Sequence, residues 1–355
     1  MVDRYGLSTK ATEWDETWLF DIGYGEIEDE SYDSIWRRSE DIIERLYEAQ
    51  STASSQHSIA DALAPILKRL SGDPIVKRGI QWFLASLIEV EYADNYDQLS
   101  LKHWGMDEKF RGDDVVVSGG FQKIVEPMTR GLDIRYGHVV DKVSYDGSGV
   151  RVTTNQGVIE SERVVVTIPL GVLQQERVQF EPPLPEEKID SIGRLGMGVM
   201  NKIALRFSKR FWPEDAYRLG LLNSSTENLT EYFPITPYSG ESVIVGLTRG
   251  RHAKSIEMAS KEDVIQHALS DLKFMLGSAV PSRPIGSVVT RWHSDEFSHG
   301  AYSHVSPGSS FSDYRTLAKP LGDKIFFAGE ATHATYPGTV HGAYLSGERA
   351  AREIM

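Results

Sequence analysis

A short apolar strand that runs into a glycine–glutamate pair, then a loop of small residues, then a helix, constrains this chain more than any other feature. It occupies residues 324–354, "KIFFAGEATHATYPGTVHGAYLSGERAAREI". Consecutive apolar residues without alternation suit a strand buried on both faces. Glycine at position 329 lets backbone approach a ligand closely. A helix starting near Thr339 presents unpaired N–H groups and the positive end of its dipole, which favour negative charge placed opposite. Small residues such as Gly342, Ala343, Gly347 and Ala350 also permit tight packing of helix on sheet. The residues alone therefore leave a cofactor seat and a packing device equally open.

The rest of the chain is long enough to build a scaffold around that turn. Its 355 residues, 40% of them apolar, fit two domains or one large one. Cysteine is absent, which excludes disulfides, thiolate metal sites and a thioether-linked cofactor. His333 and His341 have neither HExxH spacing nor a carboxylate cluster beside them, so no metal is expected. Apolar runs such as residues 164–173 fall short of the roughly 20 residues a membrane span needs. The opening stretch carries charge early without an apolar block, and "REIM" at the other end is no peroxisomal or retention signal, so a cytoplasmic location is the default expectation. The net charge of -13 argues against nucleic acid and suits a small cationic ligand.

Residues 1–111 read as mostly helical, with Ile42, Ile43, Leu46 and Tyr47, then Ile59, Leu63, Ile66, Leu67 and Leu70, at amphipathic spacing. The acidic cluster Glu26, Glu28, Asp29, Glu30 and Asp33 reads as a solvated loop or a helix start. The texture changes near Asp113. There "VVVSGG" is a strand into a glycine turn, 121–131 a brief helix, and 132–145 two extended pieces. "DGSG" (146–149) turns a hairpin, and "SERVVVTIP" (161–169) is a β-branched run of the kind buried on both faces. Proline-rich "FEPPLPEEK" (180–188) is an extended connector. Strands and helices alternate over 190–290. The closing helix is expected to bury a face made of Val340, Ala343, Tyr344, Gly347 and Ala351.

"FFAGEATHATYPGTVHGAYLSGERAA" resembles the C-terminal flavin motif of the FAD-dependent amine oxidase family, which includes polyamine oxidases, monoamine oxidases and lysine-specific histone demethylases. Four further segments match in order: "LSLKHW" (99–104), "VVVSGGFQKIVEPM" (115–128), "VVVTIPLGVLQQ" through "FEPPLPEEK" (164–188) and "LGMGVMNKIALRF" (195–207). "VTRWHSDEFSHGAYSHV" (289–305) joins them to the terminal motif. The likeness runs from about residue 90 to the end. It implies an α/β fold in which an FAD-binding Rossmann-like domain (112–178 and 291–355) is interleaved with an α+β substrate domain (1–111 and 179–290). It also implies flavin-dependent amine oxidation. A hydride passes from the carbon beside a neutral amine nitrogen to non-covalently held FAD, water hydrolyses the imine to an aldehyde and an amine, and molecular oxygen is reduced to hydrogen peroxide.

Carried over residue by residue, the resemblance places Gly329 and Glu330 at the flavin's ribityl chain and Thr339 with Val340 at the pyrimidine end. Val140 would meet the adenine, Thr167 and Pro169 would line the dinucleotide, and Trp292 would lie beside the flavin. Lys202 would hold a water at flavin N5, and Tyr302 would form one wall of the cage around the substrate amine. Strand alternation by itself makes Lys202 an edge charge and Tyr302 and Trp292 core aromatics. In an apolar site the Lys202 ammonium would be disfavoured and its pKa lowered. Thr339 stands where many relatives carry a second cage aromatic, which is expected to leave Tyr302 alone and to open a slot for a secondary amine within a long chain. That fits a polyamine or the methylated lysine of a peptide. The charged heptad insertion of the demethylases is absent, which favours the polyamine.

No GxGxxG occurs, so the N-terminal βαβ unit that would hold the FAD pyrophosphate is expected to be missing. Besides a working oxidase, this leaves an inactive truncated relative serving as a binding or regulatory protein. An L-amino-acid oxidase is a further alternative, one that needs an arginine such as Arg111, Arg151 or Arg291 in the cage to clamp a carboxylate.

Overall fold

Alternating burial along Met200–Arg206 organises the largest sheet. Asn201, Ile203 and Leu205 are buried while Met200, Lys202 and Ala204 face the other way. The computed structural model describes residues 2–12, 17–112, 114–223 and 231–355; the expected change of texture at Asp113 lies outside them. Seven strands lie in the order Gly286–Val289, Met200–Arg206, Val243–Arg249, Glu231–Pro234, Arg218–Leu222, Thr17–Asp21 and Gly25–Glu26. All neighbours are antiparallel except Arg218–Leu222 with Thr17–Asp21, which is parallel. Helix Lys261–Leu276 covers one face, its Ile265, Leu269 and Leu272 packing with Ile203, Leu205, Leu219 and Ile244.

The first strands correct the expectation of a helical opening. Thr17–Asp21 belongs to the sheet because its partner, Arg218–Leu222, is supplied from far along the chain. A helical stack follows as expected: Asp29–Gln50, Ile59–Lys68 and Pro74–Leu84, with Ile42, Leu46, Ile59 and Leu63 in its core. The acidic cluster starts the first of these helices, with Asp29 and Glu30 in its first turn. Gly79 lets two helices touch, since a Cβ there would lie 2.1 Å from Ile35 Cδ1. Pro74–Leu84 continues into a π-turn, Ala85–Glu89, and one more turn, Val90–Tyr92, closed by Ala93 at φ 56°. Among the described residues, no helix is long and apolar enough to cross a membrane.

On the other side of the molecule, Gly157–Ser161, Gly149–Thr154, Val140–Asp146 and Gln179–Glu181 form a four-stranded sheet that includes the expected hairpin. Residues 132–139 form no strand, so only one of the two extended pieces expected there exists. Val164–Val166 pairs in parallel with Ile325–Phe327, and among the described residues neither has another strand beside it. Val165 is accordingly 37% exposed, and the run expected to be buried on both faces is buried on one. The closing helix, Val340–Ile354, buries Gly342, Ser346 and Ala350 rather than the face expected. Gly342 decides this: a Cβ there would stand 1.9 Å from the Tyr336 carbonyl oxygen, so the bend before the helix packs on that side.

Candidate functional site

Buried strand Ile325–Phe327 delivers Gly329, whose φ of 125° strongly favours glycine. The closing helix holds this turn. Gly329 N–H donates to Ser346 Oγ at 2.8 Å, while the Arg349 guanidinium donates to the carbonyls of Phe327 and, at 2.8 Å, Thr332. Glu330 follows, and its carboxylate accepts from Ser303 N–H (3.2 Å), Ser303 Oγ (2.6 Å) and Gly338 N–H (2.7 Å). Burial pushes its pKa above the usual carboxylate range, opposed by those three donors. Thr339 caps the helix, donating to the Tyr336 carbonyl at 2.8 Å and accepting from Gly342 N–H at 3.0 Å. The N–H groups of Val340 and His341 have no partner among the described residues.

Two cavities meet beside this turn. The larger, about 580 Å³, is lined by Thr167, Pro169, Met200, Lys202, Trp292, Tyr302, Gly329, Glu330 and Val340. Most of the residues singled out in the sequence thus converge on one space. Val140 lines an adjoining hollow that shares Pro169 and Ile168 with it. The smaller cavity, about 320 Å³, is lined by Thr339 together with Glu91, Tyr92, Trp104, Asp107 and Phe311. Met200 and Tyr302 line both, so they form the wall between them. Tyr302 is pinned there, its hydroxyl donating to the Val90 carbonyl at 3.0 Å with Met200 Sδ at 3.9 Å, and burial pushes its phenol pKa up.

Residues 44–355 match the family model described as flavin containing amine oxidoreductase. The chain belongs to this family. It is 35% identical to "Lysine-specific histone demethylase 1 homolog 2" of Arabidopsis thaliana over 89% of this chain and 43% of that protein. It is 33% identical to "Polyamine oxidase 2" of the same plant, over 94% of this chain and 68% of that protein. The chain therefore spans less than half the length of the demethylase homologue and about two thirds of the polyamine oxidase. A putrescine oxidase structure, solved with putrescine bound, superposes with a TM-score of 0.73 at 20% identity, covering 99% of this chain and 84% of that one, which shows a shared fold.

In this member of the flavin containing amine oxidoreductase family several expectations need correcting. Lys202 is exposed, so the protein itself does not supply the apolar enclosure expected around its ammonium. Its strand position is firm, however, with its backbone N–H donating to Thr290 Oγ1 at 2.8 Å. Tyr302 is not the only aromatic of the smaller cavity, which Tyr92, Trp104 and Phe311 also line. Arg111, Arg151 and Arg291 line neither cavity; Arg151 pairs with Glu160 at 3.1 Å, and Arg291 donates to the Glu257 and Ala259 carbonyls. His333 Nδ1 accepts from Tyr336 N–H at 3.0 Å, and His341 packs 4.8 Å from the Phe110 ring.

Two groups of residues escaped the sequence reading. Glu91 and Asp107 put carboxylates on the smaller cavity, and Tyr92 donates to Asp107 Oδ1 at 3.0 Å. Burial, then the negative charge of Asp107, pushes the pKa of Glu91 up. The "LSLKHW" segment, just before Asp107, was the available signal for this wall. Asn201, fully buried, is the other case. Its Oδ1 accepts from Trp292 N–H (3.1 Å) and Thr290 Oγ1 (3.0 Å), and its Nδ2 donates to Glu257 Oε1 (2.7 Å). Glu257 in turn accepts from the N–H groups of His293 (2.9 Å) and Ser294 (2.7 Å), which fixes the loop that carries Trp292.

Proposed function

We propose that this chain oxidises a small cationic amine, a polyamine in preference, using non-covalently held FAD. One observation carries the reading: a carboxylate-lined cavity and a cavity shaped by a glycine turn and a helix start share a wall of Tyr302 and Met200. The larger cavity fits a flavin. A Cβ at Gly329 would meet nothing within 4 Å, so only the missing side chain keeps that stretch of wall low. The unpaired N–H groups of Val340 and His341 suit a negatively charged edge. Glu330, Thr167, Pro169, Trp292 and Val340 would hold the group, with Val140 at its far end. When bound, FAD supplies the two-electron acceptor for oxidation of the carbon–nitrogen bond.

The chain's own residues handle the amine. Glu91 and Asp107 offer negative charge to an ammonium, and Tyr92, Trp104, Tyr302 and Phe311 offer aromatic faces to a cation. Met200 and Tyr302 set how far an amine reaches toward the larger cavity. Thr339 keeps its hydroxyl in the helix cap, so it contributes shape rather than a hydrogen bond. Lys202, which lines the larger cavity, would hold a water there.

The test is the visible spectrum of the protein after incubation with FAD and gel filtration, followed by peroxide release from spermine, tyramine, an L-amino acid and a dimethyl-lysine peptide. Retained flavin with peroxide from spermine supports the proposal. Turnover of the peptide or the amino acid alone overturns the polyamine preference. A colourless protein overturns the oxidase reading and leaves a binding role.

A further inference from the structure

Asn201 lines neither cavity, yet it joins the parts that wall the larger one. It is fully buried on strand Met200–Arg206 and points away from its neighbours Met200 and Lys202, both of which line that cavity. Its side-chain oxygen accepts from the Trp292 N–H (3.1 Å) and the Thr290 hydroxyl (3.0 Å), and its amide nitrogen donates to Glu257 Oε1 (2.7 Å) and the Ala253 carbonyl (3.3 Å). The strand, helix Gly250–Glu257 and the loop that follows Val289 therefore meet on one side chain. Each partner is set in turn. The Lys202 N–H donates to the same Thr290 oxygen at 2.8 Å, and the Thr290 N–H donates to the Lys202 carbonyl at 3.0 Å. Glu257 also receives the N–H groups of His293 (2.9 Å) and Ser294 (2.7 Å).

The chemistry of the side chain explains why an asparagine stands here. The site asks one atom to accept twice and the other to donate to a carboxylate and a carbonyl, and an amide does both without a charge. An ionised aspartate has the same shape but no donor, and it would set a second carboxylate against Glu257. An apolar residue of this size would leave the buried groups around it short of a partner. Glu257 itself closes its helix at the C-terminal end, where the dipole disfavours an anion. Its place there depends on the Asn201 amide and the N–H groups of the loop.

From Trp292 the arrangement reaches further round the wall. The Gly300 N–H donates to the Trp292 carbonyl at 2.9 Å, and the Ala301 N–H donates to the Gly198 carbonyl at 2.7 Å, which seats Tyr302 beside them. Trp292, Gly300, Ala301 and Tyr302 all line the larger cavity, as do Met200 and Lys202. We propose that Asn201 is a positioning residue for this cavity: through Thr290 and Glu257 it fixes Lys202 relative to Trp292, and with that the place at which Lys202 meets whatever the cavity holds. The kinetic consequence rests on reading the cavity as the cofactor seat; the positioning itself does not.

Amide hydrogen exchange of the full chain without FAD tests the positioning, read at Trp292, His293 and Ser294, with helix Asp29–Gln50 as a remote reference. Asn201→Asp should lower protection at those amides by about tenfold or more, as the loss of a charge-assisted hydrogen bond implies, while the reference holds. Adding Glu257→Gln to Asn201→Asp again sets a donor against an acceptor, so the swapped pair should recover protection toward the wild type. In the flavin-loaded protein Asn201→Asp should lower kcat about tenfold and leave KM within about twofold, because the wall it sets belongs to the larger cavity. Unchanged protection in Asn201→Asp, an equal loss in the reference helix, or a swapped pair no better than Asn201→Asp alone overturns the proposal, as does a raised KM at constant kcat. If Asn201→Asp does not fold, the swapped pair decides: protection near the wild type supports the proposal, and a pair that stays unprotected or also fails to fold overturns it. A protein that stays colourless with FAD defeats the cofactor reading, and exchange still decides this one.

Discussion

Lys202 projects from the face of its strand that looks onto the larger cavity, with no side-chain partner among the described residues. A charge held so freely adds little to stability, so its removal should be read in chemistry. We expect Lys202→Met to retain flavin absorbance while slowing flavin reduction or reoxidation at least tenfold; stopped-flow traces equal to wild type in both half-reactions would remove Lys202 from the mechanism. Glu91 makes the complementary case in the smaller cavity. Its pKa is raised by burial and by Asp107, and only the ionised form attracts an ammonium, so KM should climb as pH falls through that raised value. Glu91→Gln should raise KM roughly tenfold, as a lost charge-assisted contact of about 1.5 kcal/mol implies, and should flatten the acid limb. A KM that stays pH-dependent in the variant would assign that limb to another group.

At the scale of elements, the π-turn Ala85–Glu89 matters most, because its wider winding changes the register between Leu84 and Val90. It turns Glu89 inward to Arg249, a 3.1 Å ion pair whose side chains are 5% and 6% exposed, and leaves Glu91 on the smaller cavity. Asn95 Nδ2 (3.1 Å) and Tyr96 N–H (3.2 Å) complete the Glu89 carboxylate. Glu89→Ala breaks this buried ion pair by removing one partner and should cost about 3–5 kcal/mol, read as a lower denaturation midpoint. Why some elements were legible in the sequence and others not follows from the range of the forces that form them. Helical faces such as Ile42 with Leu46 and Ile59 with Leu63 repeat within a few residues, so local spacing reports them. Thr17–Asp21 is a strand because Arg218–Leu222 pairs with it, and no local pattern carries that. The residues that line the larger cavity were legible through contiguous motifs, whereas Glu91 was hidden because a helical period does not foresee a π-turn. Asn201 was hidden because its partners, Trp292 and Glu257, come from distant segments.

At the scale of the whole molecule, the strand pair Val164–Val166 with Ile325–Phe327 and the seven-stranded sheet meet at the larger cavity, which Val166, Phe327, Met200 and Lys202 all line. If the larger cavity takes FAD, ligand binding must appear as global stability. At an FAD concentration 100 times its dissociation constant the gain should be about 2.7 kcal/mol, seen as an upward shift of the melting midpoint that grows with FAD. A midpoint indifferent to FAD would deny the chain that cofactor. The wall formed by Met200 and Tyr302 has a consequence of another kind. It is a partition with no private side, so any substitution that reshapes one chamber is felt in its neighbour. A lineage exploring new amines is therefore poorly served by these two positions, because each trial there also disturbs whatever the adjoining chamber holds. Diversification is channelled to the unshared surfaces, Glu91, Asp107 and Phe311, where appetite can drift while the machinery next door is left alone.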